Sequence, residues 1–65
     1  MNFIELTFIN INKKVYYNVD NVVSFHQDGD YTRIYTVDKE SDRVVETTLQ
    51  IVEKIKEINT ITKSI

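Results

Sequence analysis

Sixty-five residues set the size of one small domain, and a chain this short buries only about 60% of the surface that its unfolded form exposes. With no cysteine, disulfides and thiolate metal sites are closed to it, so close packing or self-association must supply what a larger core would. Eight basic against ten acidic residues, a formal net charge of -2, is unlike the footprint of a free-standing nucleic-acid binder, and no apolar run approaches the roughly 18 residues of a membrane span.

The sequence as it stands opens without the basic and apolar regions of a secretory signal, which sets the cytoplasm as the expected compartment. From Phe3 to Ile9 the chain alternates, with Ile4, Leu6 and Phe8 on one side and Glu5 and Thr7 on the other, the pattern of a half-buried antiparallel strand. Asn10 to Lys13 then turns the chain, because asparagine tolerates a left-handed backbone and bonds its own main chain. Lys14 to Asn18 carries three β-formers in a row and reads as the second strand. Asn18 to Asn21 makes a polar corner before a third strand, Val22 to Gln27, with Val23 and Phe25 expected on one face and Ser24 and His26 on the other.

Asp28-Gly29 between two alternating runs is a strong hairpin signal, since the turn demands a positive φ that glycine accepts without steric cost. Tyr31 to Val37 follows as strand four, Asp38 to Asp42 as a charged loop, and Arg43 to Glu46 as a short last strand. At Thr47 the period changes to that of a helix, with Leu49, Ile51, Val52, Ile55 and Ile58 making a broad apolar face. Thr47 with Gln50 three residues on is a capping box, in which the hydroxyl accepts from an early helix amide and the glutamine reaches back. The spacing therefore predicts an α+β fold of two layers: a four- or five-stranded antiparallel sheet followed by one C-terminal amphipathic helix. Residues 1–58 form the expected domain and 59–65 a tail.

No catalytic set assembles from these residues. His26 is the sole histidine and has no cysteine or second histidine to join it, which leaves neither a zinc set nor a nucleophilic triad within one chain. Asp28 and Asp30 resemble the start of a calcium loop, but the further oxygens and the closing glutamate are missing, so a turn is the better reading. We expect no enzyme, no cofactor and no metal. Strand four offers more. Tyr31, Arg33 and Tyr35 recur at two-residue spacing on one face, while Ile34 faces the core with the helix. Tyrosine and arginine are enriched at interface hot spots, so this stripe is the candidate protein-interaction surface, with a homo-oligomer or another protein as the expected partner. They are also residues on which unpaired bases stack, and Lys13, Lys14, Arg33 and Arg43 form the alternative, nucleic-acid-binding set.

Two family resemblances attach to these elements. Ile4-Glu5-Leu6-Thr7, Asn18-Val19-Asp20 with Val22, Thr32-Arg33-Ile34, Val45-Glu46-Thr47 and Ile51-Val52-Glu53-Lys54-Ile55 fall in an order similar to that of the FlbD-like family, small proteins associated with flagellar and swarming motility. This resemblance covers nearly the whole chain and implies a small module with no catalytic residues to carry over. Val19 to Phe25, Asp28-Gly29-Asp30-Tyr31-Thr32-Arg33-Ile34 and Thr47-Thr48-Leu49 resemble the first part of the LytTR DNA-binding domain of bacterial response regulators. That likeness implies a small DNA-binding transcription regulator, although the strand that follows the family's helix has no counterpart after Ile58.

Overall fold

A computed structural model describes residues 2–63, the last five of these by their helical backbone. Five strands and one helix follow in order: β1 (Phe3–Thr7), β2 (Lys14–Asn18), β3 (Val22–Asp28), β4 (Tyr31–Thr36), β5 (Ser41–Val44) and α1 (Thr48–Lys63). The fold is α+β, as the periodicity predicts. The strands divide, however, into an antiparallel pair, β1-β2, and an antiparallel three-stranded sheet, β3-β4-β5. A bridge between Phe8 and Val44 joins the two, with Ile9 N–H donating to the Arg43 carbonyl at 3.1 Å and Val45 N–H to that of Thr7 at 2.9 Å.

Local chemistry explains most of the element ends. Asn12 takes φ 51° in the β1–β2 turn and Gly29 φ 66° in the two-residue β3–β4 turn, the left-handed conformations expected of those residue types. Between β2 and β3 the Asn18 side chain accepts from Asp20 N–H at 3.0 Å and caps a 3-10 turn, Val19–Asn21. At the head of α1, Thr47 Oγ1 accepts from Gln50 N–H at 3.1 Å and Gln50 Oε1 from Thr47 N–H at 2.8 Å, so the capping box forms as read.

The core lies between the helix and the inner faces of both sheets. Ile4 and Leu6 from β1, Ile34 from β4, Val44 from β5 and Ile51 from α1 are buried together, and Phe8, Tyr17, Val22, Phe25, Ile55 and Ile58 pack around them. Four details differ from the pattern in the sequence. A bulge places both Val23 and Ser24 opposite Tyr35, so Val22 turns inward in place of Val23, which is 64% exposed. Leu49 is 68% exposed, because at 100° per residue it stands about 160° around the helix from Ile51. The last strand begins at Ser41 rather than Arg43, held there by pairing of Asp42 with Ile34 and of Ser41 with Tyr35. The helical backbone continues past Ile58 to Lys63, while Ser64 and Ile65 of the expected tail lie outside the described residues. No helix among the described residues is long and apolar enough to cross a membrane.

Candidate functional site

The alternation of β4 sends Thr32 and Ile34 inward, both fully buried, and Tyr31, Arg33 and Tyr35 outward, where each is half-buried. The antiparallel register then determines their neighbours. Arg33 is flanked by His26 of β3 and Arg43 of β5, Tyr35 stands opposite Ser41, and Tyr31 opposite Asp28. The outer face of the three-stranded sheet is thus a lattice with Arg33 at its centre.

These side chains are in contact with one another. The His26 and Tyr35 rings stack with centroids 5.8 Å apart and 26° between their planes. The Arg43 guanidinium lies over the Tyr31 ring, 5.5 Å from its centroid, a cation–π geometry. Arg33 donates from Nε to Asp28 Oδ2 at 3.4 Å and from a terminal nitrogen to Ser41 Oγ at 3.3 Å. Desolvation works against its charge, but Asp28 and Tyr31 outweigh that and hold the guanidinium above its ordinary pKa. Arg33 and Arg43 are nevertheless directly opposed, and like charges so placed are mutually destabilising in an antiparallel ladder.

The alternative nucleic-acid set is only partly brought together. Arg33 and Arg43 share the outer face of β3-β4-β5, whereas Lys13 and Lys14 belong to the β1–β2 hairpin. Lys14 is exposed and lies 3.9 Å from Glu5. The polar residues inside the fold serve its joints. Glu46 accepts from Thr7 N–H at 2.8 Å and from Thr7 Oγ1 at 2.9 Å, tying β1 to the head of the helix. The buried Thr32 hydroxyl donates to the Glu46 carbonyl at 2.7 Å. Tyr17 donates its hydroxyl to Asp42 at 2.7 Å, and partial burial, together with that carboxylate, raises the phenol well above its ordinary pKa. Among the described residues, no group of three or more histidine, cysteine, aspartate or glutamate side chains is placed to hold a metal ion.

Comparison of the chain with protein-family models, with curated proteins and with solved structures finds no match. The FlbD-like and LytTR resemblances therefore rest on the residues quoted for them.

Two features of the surface escape a reading of the sequence. His26 and Asp28 join the tyrosine–arginine stripe only through the β3–β4 register, which counts from the two-residue turn at Gly29 and Asp30, the bulge at Val23 lying beyond them. An open cleft of about 480 Å³ is lined by Phe3, Tyr16 and Tyr17 from the first hairpin and by Val37, Asp38 and Glu40 from the β4–β5 turn, among others. Its walls come from segments about twenty residues or more apart, and no local periodicity announces such a meeting.

Proposed function

We propose that this chain is a non-enzymatic cytoplasmic interaction module that self-associates through the outer face of β3, β4 and β5, centred on Tyr31, Arg33 and Tyr35. The observation that carries this reading is the opposed pair Arg33 and Arg43, set among tyrosine rings with Asp28, among the described residues, as the one carboxylate paired with either. Two cations facing each other across a ladder carry more positive charge than Asp28 balances, and that excess favours the arrival of an acidic protein surface across them. Tyrosine and arginine give such a contact large apolar area together with directed hydrogen bonds. Kinship with the FlbD-like family, whose resemblance spans nearly the whole chain, belongs to the same proposal.

The LytTR-type alternative, a small DNA-binding regulator using Lys13, Lys14, Arg33 and Arg43 on phosphate, has less support. Its lysines lie on the other hairpin, and the rings on which bases would stack are engaged by His26 and Arg43. Sedimentation velocity over a wide concentration series tests the choice. The expected result is a mass that rises with concentration for the native chain and stays monomeric for a Tyr31→Ala/Tyr35→Ala variant of unchanged circular dichroism. A native chain that stays monomeric throughout, and binds duplex DNA with an affinity that falls as salt is added, would overturn the proposal in favour of the alternative.

A further inference from the structure

The cleft between the first hairpin and the β4–β5 turn has the opposite character to the arginine face. Its floor and walls include Phe3, Tyr16 and Val37, all exposed, with Tyr16 at 69% and Val37 at 61%. Around them stand Asp38, Glu40 and Asp42, and among the described residues no basic side chain lines it. Lys39 lies in the same turn but outside the lining. The Thr36 hydroxyl and Glu40 N–H both donate to Asp38, which holds its carboxyl below the usual range and keeps that acid charged. Large apolar side chains grouped in an open cleft with an acidic rim mark a docking surface for a partner that is both apolar and cationic.

The chain carries a surface of that description on its other side. Asp42 and Arg43 are consecutive in β5 and so point to opposite faces of the sheet. One copy therefore cannot lay its own arginine face in its own cleft, and apposing two arginine faces would place like charges together. We propose that the acid-rimmed cleft is the docking site for the Tyr31, Arg33 and Arg43 face of a second copy of this chain, so that copies join head to tail. This rests on the reading that the arginine face self-associates, and it names the surface that face meets. A contact between two different surfaces leaves one of each free at the ends, so assembly proceeds beyond the dimer unless the rotation closes a ring.

Two variants separate the halves of the contact. Arg43→Glu changes the face from two arginines and one carboxylate to one arginine and two carboxylates, and places opposite charges across the β4–β5 ladder. Val37→Lys/Glu40→Lys sets a lysine at two exposed positions of the cleft against the remaining Asp38 and Asp42, which cancels its acidic charge. Circular dichroism and denaturant midpoints confirm that both fold. In sedimentation velocity, each variant alone should remain monomeric, while their equimolar mixture should form a one-to-one dimer that weakens with salt, since one contributes an intact cleft and the other an intact face. The native chain should grow beyond a dimer with concentration. If the cleft variant assembles like the native chain while Arg43→Glu does not, self-association through the arginine face stands and the cleft is not its partner. A mixture that stays monomeric also overturns the head-to-tail contact. If Arg43→Glu assembles like the native chain, both this inference and the proposed function fall.

Discussion

The two faces of β4 belong to the same six residues and do opposite work. Inward, Thr32 and Ile34 are fully buried, one hydrogen-bonded to the Glu46 carbonyl and the other packed with Leu6, Val44 and Ile51. Outward, Tyr31, Arg33 and Tyr35 reach solvent, and the central residue opposes another arginine. The inner face gains from every contact it makes within the chain. The outer one carries a like-charge pair that folding alone does not reward. Stability should therefore be sensitive to one face and nearly indifferent to the other.

That contrast is open to measurement along the strand and just beyond it. Ile34→Ala opens a cavity at the centre of the core and should lower unfolding free energy by about 2–5 kcal/mol, a loss that a domain this small survives poorly. Denaturant melts read it directly, and a loss below about 1 kcal/mol would mean that the inner face is far less tightly packed than its burial implies. Thr32→Val keeps the shape but deprives the Glu46 carbonyl of its donor, at a cost of about 1–3 kcal/mol in the same assay.

Tyr17→Phe extends the comparison to pH. The folded state raises the Tyr17 pKa above its ordinary 10.0, so the stability tied to the neutral phenol is present in full below that pH and is lost as pH rises through the folded value. Midpoints measured at neutral pH and above pH 10.0 should fall less in the variant than in the native chain; an equal fall would show that Tyr17 does not carry the alkaline loss. Arg33→Ala, next to Ile34 in sequence, should shift stability by no more than about 0.5 kcal/mol, because its contacts to Asp28 and Ser41 are at the surface and its removal relieves Arg43. A loss as large as that of Ile34→Ala would remove the distinction between the faces.

Much of the fold was legible because the forces that shape it act over a few residues. The capping box at Thr47 and Gln50, the positive φ of Asn12 and Gly29, and the inward set Ile4, Leu6 and Ile34 each follow from a side chain's chemistry or from strict alternation. The exposure of Leu49 was present in the helical angle but hidden by its membership of an apolar run. The bulge at Val23 has no such trace, since a valine marks no irregularity and the extra residue exists only relative to its partner strand. The start of β5 is of the same kind. Ser41 and Asp42 are polar residues in a charged stretch, and they become strand because Tyr35 and Ile34 offer a ladder and the Tyr17 hydroxyl meets Asp42.

For the candidate surfaces the division is sharper. Alternation alone places Tyr31, Arg33 and Tyr35 on one face of a strand, since side chains change sides at every residue. That His26 stacks on Tyr35 and Arg43 opposes Arg33, and that Phe3, Tyr16 and Val37 share a cleft with Asp38 and Glu40, depends on which segments lie side by side. Those neighbours are selected by burial of Ile4, Leu6, Ile34, Val44 and Ile51 into one core. Burial has no fixed spacing along the chain, because it is satisfied by any approach that removes apolar area from water.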